Sequence, residues 1–198
     1  EKELCQALVA GGWLHSKNDA GYDRELALFP EDVLFWLEET QPEQLAKLVK
    51  PGDTQVSQDA AKKDLIHRLA KSLDGPLENG GGALSILRRG FRHQTAKFDM
   101  CQFKPADGLN PATMERFGKN RLRVMQQVHY SKSNQNSIDL VLFLNGIPVA
   151  TLELKTDFTQ SVQNAITQYK KDRKPGGEPL LSFGHRALVH FAVSNDEI

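Results

Sequence analysis

The sequence predicts an α/β (α+β) protein: a mixed β-sheet core flanked by helices, with a helical N-terminal region. Three observations predict it. Apolar residues recur at helical spacing through about the first 90 residues. Beyond that the apolar period falls towards two, the period of strands. Two near-continuously apolar stretches, "IDLVLFL" and "PVATLEL", flank Asn145-Gly146 and read as neighbouring strands buried on both faces.

Each element follows from its own signals. Residues 1–10 form a helix with Leu4, Leu8 and Val9 on one face, stopped by "GG". "NDAGYDRELALF" is irregular, rich in turn residues. Pro30 suits the first turn of a helix through "EDVLFWLEET", and Pro42 opens another in "QPEQLAKLVK". "SQDAAKKDLIHRLAKSL" is the clearest amphipathic helix, with Ala61, Leu65, Leu69 and Leu73 on one stripe. The loop "DGPLENGGG" precedes a short helix, "ALSILRRG". "AKFDMCQFK" alternates like a strand. "NPATMERF" is a short helix with Asn110 as its N-cap. "RLRVMQQVHYS" is a strand, followed by the paired apolar strands. "TQSVQNAITQYKKDRK" is a helix ended by "PGG", and "RALVHFAVS" is a last apolar strand. Together these predict one domain over residues 1–198, helical to about 90 and sheet-based after it.

Composition narrows the function classes. The formal net charge is zero, so any nucleic-acid surface must be a local basic patch. Cys5 and Cys101 are too few for a disulfide framework and suit free thiols in a reducing cytoplasm. No apolar run reaches the roughly 18 residues of a membrane span, and "EKELCQALVAGGW" lacks the features of a signal peptide. The chain has no initiating Met and stops just after an apolar strand, which suggests a piece of a longer protein. The histidines show no metal-ligand spacing, and "GGG" at 80–82 is not followed by the Gly-Lys-Ser/Thr of a phosphate loop. His129 and His190 read as packed or capping, and Trp13 and Trp36 as core or interface residues.

The charges inside the paired strands carry the chemistry. Glu153 and Lys155 are two apart and share a strand face, and Asp139 lies on the preceding strand. Charges in buried strands are expensive unless paired or metal-bound. Two carboxylates near a lysine suit Mg²⁺, which prefers oxygen ligands. Such an ion acidifies water and stabilises the charge of a phosphodiester under attack, while a lysine orients the water or neutralises phosphate. A buried Glu–Lys pair is the competing structural explanation. Parity tests the idea. A two-residue Asn145-Gly146 turn pairs Leu144 with Ile147 and puts Asp139 opposite Leu152, so Glu153 points away. A three-residue loop, or one bulge with Gly146 left-handed, restores the shared face. The sequence therefore predicts that the connection is not a simple two-residue turn.

"SIDLVLFLNGIPVATLELK" closely resembles the nuclease motif of the type I restriction endonuclease R (restriction and motor) subunit, a member of the PD-(D/E)xK nuclease class. "GYDRELALFPEDVLFWLEETQP", "GLNPATMERFGKNRLRVMQQVHYS" and "NAITQYKKDR" resemble further segments of that subunit's N-terminal domain, so the likeness covers most of the chain. It implies a restriction-endonuclease-like fold and the activity of a type I site-specific deoxyribonuclease. Catalysis would rest on Asp139 and Glu153 as Mg²⁺ ligands, with Lys155 assisting. The resemblance also implies a role for an early glutamate. Glu-x-x-Leu-x-x-x-Leu-x-x-x-Gly-Trp matches Glu1, Leu4, Leu8, Gly12 and Trp13. A Gln-x-x-x-Tyr motif maps its first position onto Gln168; Asp172 stands where the pattern has Tyr, so only Gln168 carries over.

The same resemblance implies double-stranded DNA as substrate and methylation and specificity subunits as partners. It also implies ATP-driven translocation by motor domains beyond this chain, which would bind the ATP. For DNA, "QYKKDRK" supplies Lys170, Lys171, Arg173 and Lys174 beside the proposed site. Arg88, Arg89, Arg92, Arg121 and Arg123 add further cations able to hold phosphates without reading bases. The alternative is a catalytically silent scaffold that binds DNA or docks the other subunits.

Overall fold

In a computed structural model, residues 1–154, 167, 171 and 173–193 are described. The order is α1 (Lys2–Ala10), β1 (Leu14–Ser16), α2 (Pro30–Thr40), α3 (Pro42–Leu45), α4 (Gln55–Leu73), α5 (Ala83–Arg89), β2 (Phe91–His93), β3 (Ala96–Phe98), α6 (Pro111–Gly118), β4 (Leu122–His129), β5 (Ser137–Leu144), β6 (Ile147–Leu154) and β7 (Val189–Val193). One five-stranded sheet runs β1-β4-β5-β6-β7, parallel at its two outer pairings and antiparallel within. This is the mixed sheet flanked by helices that the sequence predicts.

Local chemistry sets the helix ends. Pro30 and Pro42 stand in the first turns of α2 and α3, where a missing N–H costs nothing. Thr54 caps α4 by accepting from Ser57 N–H, and Asn110 caps α6 by accepting from Thr113 N–H. The helix expected from Pro42 onwards keeps only Pro42–Leu45 as α-helix. The strand expected in "AKFDMCQFK" is cut to Ala96–Phe98, which pairs with Phe91–His93 as a separate small hairpin. The helix expected over "TQSVQNAITQYKKDRK" lies mostly outside the described residues; Thr167 and Lys171 are helical.

Three apolar clusters hold the elements. Val33, Trp36, Leu37, Leu65, Leu69, Phe91 and Phe98 join the helices to the small hairpin and to Ile147. Met125, Val128, Ile138, Val141 and Phe143 line one face of the main sheet. Val124, Leu140 and Leu152 line the other, where Cys5, Leu4 and Leu8 of α1 cover them.

The β5–β6 connection decides the register. Leu144 pairs with Ile147 across Asn145 and Gly146, whose φ angles are 49° and 79°. Two left-handed residues make a tight turn matched to strand twist. Asn145 is fully buried and satisfied. Its Oδ1 accepts Arg121 N–H at 2.7 Å, and its Nδ2 donates to Met100 O and Asn120 Oδ1, both at 2.9 Å. Gly146 O accepts Phe29 N–H at 2.9 Å. Further along, Leu142 pairs with Ala150 but Phe143 with Pro148, so Val149 bulges out. The expected departure from plain pairing is thus present, but it lies in β6 and not in the turn, which has two residues. Proline cannot donate to the ladder, and strands carrying one are commonly bulged there.

A Cβ on residue 146 would stand 2.4 Å from Phe29 O and 2.5 Å from Val33 Cγ2, at a φ that side chains rarely adopt. Gly146→Ala is therefore expected to lose about 3 kcal/mol of stability, read as a lower urea midpoint at unchanged slope. A loss under about 1 kcal/mol would show that the turn is not tightly seated on α2.

Candidate active site

Both strand acids stand far from the turn. Continuing the Leu140–Leu152 pairing by one residue sets Asp139 opposite Glu153. Without the bulge at Val149, Asp139 would face Leu152. Glu153 lies between Leu152 and Leu154, which belong to the α1 side, and so points to the face of Tyr130. Asp139 is anchored: its Oδ2 accepts Leu154 N–H at 2.7 Å and its Oδ1 accepts Gln127 Nε2 at 3.3 Å. Its carboxylate rests against the backbone next to Glu153.

Glu153 is only 7% exposed. A carboxylate that deep requires a cation. Arg173 supplies one, its Nη2 pairing with Glu153 Oε1. Tyr130 holds Arg173 in turn: its hydroxyl accepts Nη1 at 3.1 Å, and its ring centroid lies 5.1 Å from the guanidinium carbon. Burial works against the guanidinium charge, but the Tyr130 hydrogen bond and the Glu153 charge outweigh it and raise the pKa.

The two carboxylates fit an oxygen-seeking divalent ion, since Mg²⁺ needs one or two carboxylates and takes water or substrate for the rest. Among the described residues no group of three or more His, Cys, Asp or Glu could hold a metal. Thiol chemistry is disfavoured. Burial raises the Cys5 pKa, with Glu1 adding to it, and pushes Cys101 up to about 11. His129 Nδ1 meets Asp19 at 2.9 Å, and the exposed His190 meets buried Thr151 through Nδ1 at 2.6 Å. Desolvation lowers the His190 pKa from its ordinary value.

Glu1 is exposed at the start of α1, and its Oε1 accepts Gln126 Nε2 at 3.0 Å. Gln126 pairs with Leu140, the neighbour of Asp139, and its Oε1 bonds His15 Nε2 at 2.7 Å. Lys171 and Lys174 are exposed, and Arg173 is half-buried at Glu153. Lys155, Gln168 and Lys170 lie outside the described residues.

Arg121 and Arg123, expected to hold DNA phosphates, are paired within the fold. Asp32 is fully buried, and Arg123 grips it with Nε at 2.7 Å and Nη2 at 2.9 Å. Arg121 Nε lies 2.7 Å from the same carboxylate. Arg123 also donates to Ser16 Oγ at 2.8 Å, and the two guanidiniums stack on Phe29 and Phe35. This geometry ties α2, β1 and β4 together, and neither arginine enters the DNA reading below.

Sequence reasoning passed over Gln126, Gln127 and Tyr130. Gln127 has φ 50° in mid-strand, rare for a side-chain-bearing residue. Its turn breaks the alternation of β4: Met125 and Val128, three apart, pack in one cluster. The only sequence signal was a polar Gln-Gln in an apolar strand.

A five-stranded mixed sheet flanked by helices is the architecture of a restriction-endonuclease-like domain. The family model for Type I restriction enzyme R protein N terminus (HSDR_N) matches residues 5–198, and the chain belongs to that family. No curated protein and no solved structure matches the chain. Among the described residues no helix is long and apolar enough to cross a membrane.

Removing Asp32 would leave two guanidiniums without their carboxylate. Asp32→Ala is expected to destabilise the domain by about 3–5 kcal/mol, measured by chemical denaturation. A change below about 1 kcal/mol would show that the arginines find other partners.

Proposed function

We propose that this chain is an endonuclease domain that hydrolyses DNA phosphodiesters with Mg²⁺ held by Asp139 and Glu153. The observation that supports it most is the Val149 bulge, which sets the two acids opposite each other. Bound there, Mg²⁺ would supply Lewis-acid stabilisation of the phosphoryl charge. In the hydrolysis a water oxygen attacks phosphorus, one P–O ester bond breaks, and the leaving oxygen takes a proton. The chain's own residues prepare this. Leu154 N–H and Gln127 fix the Asp139 carboxylate. The dry surroundings of Glu153 strengthen its attraction for a cation. Lys155 would orient the water or offset phosphate charge, with Gln168 and Glu1 completing the polar surroundings. Lys170, Lys171 and Arg173 would hold the DNA backbone without reading bases.

In the complete R subunit the domain would work beside ATP-driven motor domains and with methylation and specificity subunits, acting on foreign double-stranded DNA in the cytoplasm. A second reading rests on the Arg173–Glu153 pair: a silent scaffold in which the buried acid is simply neutralised.

Glu153→Ala in the assembled complex separates the two. The nuclease reading expects cleavage to fall at least about 100-fold, with ATPase and translocation retained. Asp139→Ala should do the same. Unchanged cleavage in either variant would leave the scaffold reading.

A further inference from the structure

Away from the acid pair, the second half of α4 and the β2–β3 hairpin line an open groove of about 530 Å³, polar and basic, with Arg68, Lys71, Arg92 and His67 among its walls. The groove is built. Arg68 Nε donates to Arg92 O at 2.9 Å, joining helix to hairpin. Asp64, its single lining carboxylate, sits 2.9 Å from His93 Nε2. Lys63, His67 and Lys71 are exposed at i, i+4 and i+8, one row along α4 that runs into the groove. Arg92 is exposed on the facing hairpin.

We propose that this groove is a second DNA-backbone site, holding the phosphates of a duplex whose scissile bond lies at the acid pair. The inference rests on the nuclease reading for its substrate. Its lining has no large apolar side chain to anchor a protein partner, and lysine and arginine tips on two facing walls suit phosphate oxygens. It is separate from the active site. α4 and the small hairpin pack in the cluster that reaches Ile147, and Glu153 stands six residues beyond Ile147 along β6, about 20 Å from it at strand rise. On this proposal one duplex touches both, the groove adding grip and orientation without base specificity.

Lys71 lies in the last turn of α4, where a cation also balances the helix dipole, so stability alone would not test its role. The test is the salt dependence of binding by the intact subunit to a fluorescent 40-base-pair duplex of arbitrary sequence, in EDTA to prevent cleavage. Lys71→Gln with Arg92→Gln is expected to weaken binding about tenfold at low salt and to reduce the log–log salt slope by about 2, one per lost phosphate contact. The pair Lys47→Gln with Lys104→Gln, both exposed elsewhere, should leave the slope unchanged. An unchanged slope in the groove variant would overturn the proposal, as would an equal fall in the control pair. Loss of binding to vesicles containing anionic phospholipid, with duplex binding intact, would also overturn it. Failure of the nuclease reading shows elsewhere: Glu153→Ala would still cleave, whatever the groove variant does.

Discussion

The register of β5 against β6 is the constraint on which the candidate site depends. In an antiparallel pair, one residue of slip moves a side chain to the other face. Two features oppose a slip here. Asn145 and Gly146 close the strands in left-handed conformations, and both are locked: Asn145 by three side-chain hydrogen bonds, Gly146 by its approach to α2. Val149 then adds one residue to β6, and that single insertion carries Glu153 from the position beyond Asp139's partner to the position opposite it. The turn fixes where the strands start and the bulge fixes which acids meet.

Two buried ion pairs show how differently the same chemistry can be used. Asp32 is gripped by two arginines, one through two hydrogen bonds, and stitches α2 to the first two strands of the sheet. Glu153 is held by Arg173, which approaches from the chain beyond β6 and rests on Tyr130. Buried pairs add little net stability compared with apolar packing, because desolvation offsets much of their attraction. The Arg173 contact joins a cross-strand acid to a guanidinium that also rests on Tyr130. At Asp32 two arginines meet on one fully enclosed carboxylate.

Much of this was legible in the sequence because it is local. Helical stripes, Pro30, Pro42 and Asn110 mark α2, α3 and α6, and the apolar runs mark β5 and β6. Parity asked for a three-residue loop or one bulge, and the bulge is there, although at Val149 beside Pro148 and not in the turn. What stayed hidden is set by partners distant in sequence. β1 is three residues without an alternating pattern, and it becomes a strand only by pairing in parallel with β4 more than a hundred residues later. Arg121 and Arg123 look like surface cations until α2 brings Asp32 beneath them. The last strand reads as fully apolar, yet among the described residues β7 stands at the edge of the sheet with Val189 and Phe191 exposed.

Gln127 stands beside the acid pair, at the position across the sheet from Asp139. A left-handed glutamine inside a strand costs of the order of 1–3 kcal/mol, and nothing in the apolar packing of β4 calls for it. Its effect is to break the alternation between Met125 and Val128 and to bring an amide to Asp139 Oδ1, while Ser137 Oγ donates to the same side chain at 3.3 Å. Asp139 thus receives hydrogen bonds from two strands, β4 through Gln127 and β6 through Leu154. A carboxylate fixed from both sides loses little freedom on taking a cation, and such preorganisation is what a binding site needs and a core does not. Backbone strain at Gln127, the extra residue at Val149 and the buried charge of Glu153 are three separate costs to folding, and they fall within one patch of the sheet.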